Sequence, residues 1–137
     1  MSLTDAYEAL ILDWLFTADA AVRPDAWFLS VSTTTPNDDG SNFTPPVGGS
    51  FARIPVVFAG GVDGFGTFVG NTAILEFPEA TADWGLLTHG GVYSALSGGS
   101  LIDYGPLRDS AGDPTPIQVN TGQILRIPVN AFKIYCD

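Results

Sequence analysis

Residues that could do chemistry concentrate in the stretch 71–105. It holds the chain's only histidine, His89, and three carboxylates within eight residues, Glu76, Glu79 and Asp83. A pair of carboxylates is all that most glycoside hydrolysis requires. A histidine can serve as a general base or as a metal ligand. An active site in this stretch is therefore the first hypothesis to weigh.

The surroundings of these residues favour a structural role. His89 has no second histidine to share a metal, and the lone cysteine, Cys136, has no catalytic histidine context. Glu76 alternates with apolar neighbours and is expected to face solvent. Glu79 and Asp83 flank a turn, where aspartate commonly bonds local backbone. We expect a sheet histidine bonded to a neighbouring turn, with no catalytic residue, metal or cofactor.

Two further motifs are weak matches to known ligand sites. The segment DDGSN (38–42) clusters oxygen ligands but lacks the register of a calcium-binding loop, so it predicts an Asx-type turn. The segment AGGVDGFGTFVG (59–70) has no phosphate-binding lysine and does not open a helix. It is interpreted as a glycine-rich loop and not as a nucleotide site.

Charge and hydropathy exclude several classes of partner. The formal net charge is −10, and the five basic residues are scattered along the 137-residue chain. Binding to nucleic acid or to an anionic membrane needs a basic stripe, so neither is expected. No apolar run approaches the ~18 residues of a membrane span, and the N-terminus lacks the basic start of a signal peptide. We expect synthesis in the cytoplasm.

Residues 4–16 predict the one helix of the chain. Its apolar residues recur at helical spacing and form a stripe, namely Tyr7, Leu10, Ile11, Trp14 and Leu15. Thr4 or Asp5 can cap the helix. A helix this short is not stable alone, so the stripe must be buried on its own domain or on a neighbour.

After residue 25 the pattern becomes that of short strands. The predicted strands are 26–32, 52–58, 73–77, 85–95, 100–107, 116–119, 123–129 and 132–135. Two long polar loops, 33–50 and 108–116, are expected to need an ordering partner. The sequence predicts a single, mainly β domain over 1–137, with helix 4–16 and a β-domain 26–135. Its architecture would be an antiparallel β-sandwich or barrel of about eight short strands.

The stretch FPEATADWGLLTHGGVYSALSGGSLIDYGPL (77–107) carries a family resemblance. A strand ending in Phe-Pro, a Trp-Gly turn, a Thr-His strand and a Gly-Gly turn follow one another. This order resembles a domain family of tailed-bacteriophage virions, which includes so-called tail fibre proteins and related head decoration domains. The resemblance extends through WFLSVSTTTP, GGSFARIPVVF, NTAILEF and VNTGQILRIP. Gly90 stands where the family has a bulky apolar residue, so we expect less inward volume there.

The resemblance implies a non-enzymatic structural protein of the virion. The first hypothesis is a capsid decoration (cement) protein bound to the major capsid protein. The alternative is a tail-fibre or receptor-binding module that recognises a host surface glycan. A homo-oligomer with closed symmetry is expected, and a trimer is favoured because it would match local three-fold positions of the head. The candidate interface residues are Tyr7, Leu10, Trp14, Phe43, Pro45 and Pro46.

Overall fold

A computed structural model describes residues 2–136 as one helix and twelve short strands. Helix α1 spans Asp5–Phe16. The strands are β1 Ser2–Leu3, β2 Trp27–Ser32, β3 Ile54–Val56, β4 Phe58–Asp63, β5 Gly66–Asn71, β6 Leu75–Glu76, β7 Gly85–Leu87, β8 His89–Tyr93, β9 Leu101–Pro106, β10 Ile117–Val119, β11 Arg126–Ile127 and β12 Lys133–Cys136. Within these residues, no helix has the length and apolar character needed to cross a membrane.

All strand pairs are antiparallel and form four sheets. The largest has the order β1-β9-β8-β2-β3, and a second has the order β12-β5-β4. Two two-stranded ribbons, β10-β7 and β11-β6, complete the domain. The predicted mainly β, antiparallel class with one N-terminal helix is confirmed. The sheets of residues 2–136 are open, so the barrel alternative is wrong.

One hydrophobic core joins these sheets. Strands of the five-stranded sheet contribute Leu29, Val31, Val56 and Val92, all buried. The rest of the domain contributes Leu75, Phe77, Ala80, Trp84, Leu87, Val119, Leu125 and Phe132. Burial of such side chains is the main favourable term in folding, so the sheets are held together chiefly by this cluster.

The glycine-rich segment 59–70 is a β-hairpin, and its interpretation as a loop is wrong. β4 and β5 pair from Phe58 opposite Asn71 to Asp63 opposite Gly66. Gly61 lies directly opposite Phe68, and a Cβ atom at Gly61 would lie 2.6 Å from Phe68 Cζ. The glycine therefore leaves room for the aromatic ring across the hairpin.

The predicted strand 85–95 is two strands that serve different sheets. β7 pairs with β10, whereas β8 pairs with β2 and β9. Thr88 lies between them; its amide donates to the Ser32 carbonyl at 2.9 Å, and its own carbonyl accepts from the Leu107 amide at 3.0 Å. These two bonds hold Thr88 at the point where the chain leaves the β7-β10 ribbon and enters the five-stranded sheet. Thr88 is the single residue between β7 and β8, so no loop separates the two strands.

Loop 33–50 is ordered by its own hydrogen bonds, and the expectation that it needs a partner is wrong. The Thr33 amide donates to the Thr44 carbonyl at 3.0 Å. The buried hydroxyl of Ser32 accepts from the Thr44 amide at 2.9 Å and donates to the Thr34 carbonyl at 2.8 Å. The loop is therefore folded back on the end of β2.

Aspartates organise turns in both long loops. The Ser41 amide donates to Asp39 Oδ1 at 2.8 Å, which confirms the predicted Asx-type turn in 38–42. In loop 108–116, Asp109 Oδ1 accepts from the amides of Ala111 and Asp113 at 2.9 and 3.0 Å. Hydrogen bonds to the ionised carboxylates lower the pKa of Asp39 and of Asp109. Loop 108–116 thus also lacks any need for an external partner.

Candidate functional site

His89 occupies the first position of β8 and is half-buried. Its Nδ1 lies 2.8 Å from the hydroxyl of the preceding residue, Thr88, and burial lowers the pKa of the imidazole. The predicted sheet histidine is confirmed, but its partner is this hydroxyl and not a neighbouring turn. Across residues 2–136, no group of His, Cys, Asp or Glu side chains is arranged to hold a metal ion.

Two of the three carboxylates of the first hypothesis, Glu76 and Asp83, act as cross-links, and Glu79 is exposed. Glu76 forms a 2.7 Å ion pair with Arg126 directly across the β6-β11 ribbon, and both side chains are more than half exposed, as predicted for Glu76. Asp83 Oδ1 accepts from the amide and hydroxyl of Thr121 at 2.8 and 2.9 Å. Its expected bond to local backbone is therefore wrong, since the partner is distant in sequence. Each of these two carboxylates joins two segments of the fold.

The base of α1 is attached to the β-domain. Thr4 is the N-cap residue, yet its hydroxyl makes no cap and donates instead to the Leu101 carbonyl at 2.8 Å. The Thr4 amide donates to the Ile102 carbonyl at 3.0 Å. The next amide, of Asp5, donates to the Asp38 carbonyl at 2.8 Å. Three hydrogen bonds thus fix the start of the helix on β9 and on loop 33–50.

Beyond this base, α1 has no buried residue. Tyr7 and Leu10 are half-buried, while Trp14 is 66% exposed and Phe16 is 75% exposed. The predicted helix is confirmed with its start one residue later, at Asp5, but burial of the stripe on its own domain is wrong. The other alternative in that prediction, burial of the stripe on a neighbouring molecule, stays a prediction.

The apolar surface of α1 is wider than the predicted stripe. Leu12 and Phe16 are four positions apart, so they form a second row beside the stripe. We call the exposed apolar residues of the distal half the α1 patch; its members are Ile11, Leu12, Trp14, Leu15 and Phe16. Asp13 is the one polar residue among positions 10–16. A helix that is apolar nearly all round is normally buried, and the spacing of Leu12 and Phe16 could have indicated this from sequence.

The loop candidates lie on the body of the domain. Phe43 packs edge-on against Tyr93 with ring centroids 5.3 Å apart, and it is half-buried, as are Pro45 and Pro46. Loop 33–50 meets α1 at Asp5, whereas Trp14 lies about 14 Å further along the helix axis at 1.5 Å per residue. The exposed end of α1 therefore lies well beyond the backbone contact at Asp5 that joins the helix to this loop.

A family comparison covers this whole architecture. Residues 2–135 match the sequence model of the family described as Podophage GP4 fiber I protein gp80. The chain belongs to this family. Membership in the gp80 fibre I family confirms the predicted resemblance and identifies the chain as a structural protein of phage virions. No curated protein sequence matches it.

Proposed function

We propose that this member of the gp80 fibre I family is a non-enzymatic subunit of the tail fibre and joins its assembly through the α1 patch. The observation that supports this proposal is the exposure of an apolar helix on an otherwise well-packed domain. Clustered apolar surface of this kind marks protein contacts in soluble proteins. A helix of 12 residues also gains most of its stability from packing.

The energetics of the α1 patch suit an obligate contact. Full burial of one large apolar side chain stabilises by roughly 1.5–3 kcal/mol. The five members of the patch together can thus offset the translational and side-chain entropy lost on association. No basic residue lies in the last turn of α1, so its negative helix end is free to meet a basic group of a partner.

A homotrimer is the assembly that we favour. Because the patch is apolar on more than one side, it calls for more than one neighbouring helix, and a three-helix bundle provides two. Closed symmetry is the usual solution for identical subunits. The net charge of −10 does not prevent this, because repulsion between exposed acids is screened beyond ~8 Å at physiological salt.

Two other roles are alternatives to a fibre subunit. In a capsid decoration protein, the α1 patch would dock on the major capsid protein, as the family resemblance first suggested. In a receptor-binding fibre module, an exposed aromatic ring would contact a host glycan. Phe65 supports this second role, since it is 87% exposed at the tip of the β4-β5 hairpin beside Tyr135.

The copy number of this chain per virion distinguishes a tail-fibre subunit from a capsid decoration protein. Quantitative mass spectrometry of purified particles should find this chain at the low stoichiometry of tail components. A stoichiometry close to that of the major capsid protein would contradict the fibre proposal and would support a capsid decoration protein instead.

A matched pair of variants tests the role of the α1 patch. The double substitution Trp14→Ser and Phe16→Ser should abolish self-association in sedimentation experiments and incorporation into virions, while the melting temperature of the domain is kept. The control is Val47→Ser, which alters a fully exposed apolar residue of loop 33–50. Normal incorporation of the double variant would overturn the proposal.

A further inference from the structure

The edge of β4 that faces away from β5 is open. β4 is the last strand of the three-stranded sheet and pairs with β5 alone. The Thr72 amide donates to the Val57 carbonyl at 2.9 Å, so from Val57 onward every second residue bonds to β5. The residues between them, Phe58, Gly60 and Val62, therefore turn their backbone N–H and carbonyl groups outwards. In the described part of the chain, these groups have no backbone partner.

This open edge continues the edge at which β3 meets β2. The Ser32 carbonyl accepts from the Thr88 amide at 2.9 Å on the β8 side, so even-numbered residues of β2 face β8. The odd-numbered Trp27 therefore faces β3 and bonds to Val56, which lies opposite. Phe58 is two positions beyond Val56 and points to the same side. An extension of β2 before Trp27 would therefore run along the open edge of β4.

The segment before β2 has unpaired backbone of its own. Residues 17–26 connect α1 to β2. Within the residues that the structure describes, no backbone group of residues 20–26 bonds to another backbone group. Val22 is also 84% exposed. An unpaired segment and an unpaired strand edge thus meet at the start of β2.

We propose that residues 21–26, the strap, close onto the open edge of β4 as an extension of β2, in the register that β2 holds with β3. The structure holds the strap in its open form. The register gives three hydrogen-bonded pairs, which are Asp25 with Phe58, Arg23 with Gly60 and Ala21 with Val62. The closed strap joins the five-stranded and three-stranded sheets and covers a strand edge that otherwise invites pairing with other chains. The strap and β4 belong to the same chain, so their pairing is independent of the contacts made by the α1 patch.

Pro24 supports this register, because it falls at a position where no N–H is needed. In the extended ladder Pro24 lies opposite Ala59, in a non-bonded pair, and its nitrogen faces away from β4. Proline within sheets is confined to such outward-facing positions of edge strands. Pro55 occupies the same kind of position in β3, opposite Phe28.

The faces beside the open edge have room for the side chains of the strap. Val22 falls opposite Gly61, at an open depression of about 410 Å³ that Phe68 also lines. Because Gly61 has no side chain, Val22 can pack beside this ring and lose much of its exposure. Arg23 falls opposite Gly60, where an added Cβ would meet only a backbone oxygen, at 3.9 Å. No side chain of β4 therefore blocks these two positions.

α1 can keep its length when the strap closes. Thr4 and Trp27 lie at the same end of the five-stranded sheet, three strand spacings or about 14 Å apart. In the proposed register Ala21 lies about 20 Å beyond Trp27. The 12-residue helix is about 18 Å long, and residues 17–20 add up to about 13 Å. The two together are long enough to reach Ala21 without unwinding of the helix.

Amide hydrogen exchange of the full chain, followed by NMR, tests the strap residue by residue. The amides of Ala21, Arg23 and Asp25 should be protected about tenfold more than those of Val22 and Ala26, because only the first three face β4. Uniformly fast exchange over the strap would overturn the proposal.

Gly60→Pro provides the matched variant for this measurement. It removes one outward N–H from the open edge and leaves the bonds between β4 and β5 in place. The alternating protection of the strap should disappear, while the β5 amides that bond to β4 stay protected. Unchanged alternation in this variant would contradict pairing with β4.

Cysteine pairs test the register without a change at Gly60. In a Cys136→Ser background, Pro24→Cys with Ala59→Cys places two thiols in a non-bonded pair, whose Cα atoms lie about 4.5 Å apart, within disulfide range. This pair should form an intrachain disulfide on mild oxidation. The control, Arg23→Cys with Ala59→Cys, directs the two side chains to opposite faces and should stay reduced.

Three results of this experiment would overturn the proposal. Absence of the disulfide would show that the strap does not reach the edge. Equal cross-linking of both pairs would show a strap without register. A disulfide between two chains would assign the open edge of β4 to a neighbouring copy.

Discussion

The hydroxyl of Thr4 donates a 2.8 Å hydrogen bond to the carbonyl oxygen of Leu101, across 97 positions of sequence. This bond is buried and anchors the start of α1 on β9. Thr4→Val keeps the shape of the side chain but leaves that carbonyl without its donor. We expect a loss of about 1–3 kcal/mol in the free energy of unfolding, measured by urea denaturation.

The same substitution at Thr17 provides the control. Its hydroxyl donates to the Asp13 carbonyl at 2.7 Å, but in an exposed position at the other end of α1. Thr17→Val should therefore change the free energy of unfolding by no more than ~0.5 kcal/mol. Equal effects of the two substitutions would contradict an anchoring role for Thr4.

Gly90 and Gly91 are adjacent in β8 but should tolerate a methyl group very differently. A Cβ atom at Gly91 would lie 2.6 Å from Phe43 Cε2 and 2.7 Å from Leu101 Cδ1. Gly91→Ala should displace Phe43 from Tyr93 and cost about 1–3 kcal/mol through overpacking.

At Gly90, the nearest side-chain atom to an added Cβ is Leu107 Cδ2 at 3.5 Å, an ordinary contact. Gly90→Ala should therefore change the free energy of unfolding by less than ~1 kcal/mol. Thermal unfolding of both variants provides the comparison, and a greater loss at Gly90 would contradict the packing described.

Trp84 should be sensitive to loss of its indole N–H together with part of its buried ring. Its Nε1 donates to the Gly49 carbonyl at 2.8 Å, and the side chain is only 4% exposed. Trp84→Phe should cost about 1–3 kcal/mol in denaturant unfolding. Trp14→Phe serves as the control and should have almost no effect on the unfolding of dilute protein, since Trp14 is 66% exposed. Similar losses at both positions would show that the hydrogen bond contributes little.

The pH dependence of stability should carry a contribution from Asp103. Burial raises the pKa of this carboxyl to about 7, so the folded protein binds its proton more tightly than the unfolded chain does. The resulting stabilisation is present below the unfolded pKa of about 4 and is lost as the pH rises to about 7. Its size is on the order of 4 kcal/mol.

Comparison of unfolding curves for wild type and Asp103→Asn isolates this contribution. The difference between them cancels the opposite effect of His89, whose pKa burial lowers. Hydrogen bonds from Lys133, from the Phe65 amide and from Tyr135 lower the pKa of Asp63 to about 2. The stabilisation that Asp63 contributes is therefore complete above about pH 4 and is lost only as the pH falls from about 4 to about 2. Parallel curves between pH 4 and 7 would contradict the effect of burial on the Asp103 carboxyl.

Local patterns in the sequence predict the elements whose stability is local. The helical spacing of Tyr7 to Leu15 gives α1 within one residue of its observed start. Eight strand regions follow from alternation and turn residues. The β4-β5 hairpin could not be predicted in this way, because its glycines are explained only by the ring of Phe68 across the hairpin.

The candidate sites and the buried acid depend even more on distant contacts. Simple alternation along β9 puts Asp103 on the same face as Leu101, and the bulge opposite Val92 and Tyr93 reverses this. The self-ordering of loop 33–50 includes bonds to the hydroxyl of Ser32, whose partners lie up to twelve positions away. By contrast, Trp14 could be proposed as an interface residue from its position in a short helix.

Only one residue, Thr88, connects β7 of the β7-β10 ribbon to β8 of the five-stranded sheet. The segment 17–26 connects α1 to β2, and β2 pairs with β8 over five residue pairs. Tension applied at α1 would therefore pass through β2 into β8 and directly across Thr88 into the β7-β10 ribbon. Both backbone hydrogen bonds of Thr88 go to the side of the five-stranded sheet, at Ser32 and at Leu107, so the residue that leads into the ribbon is itself held on that sheet. Under mechanical strain, force on β8 should therefore reach the ribbon through a connection of a single residue.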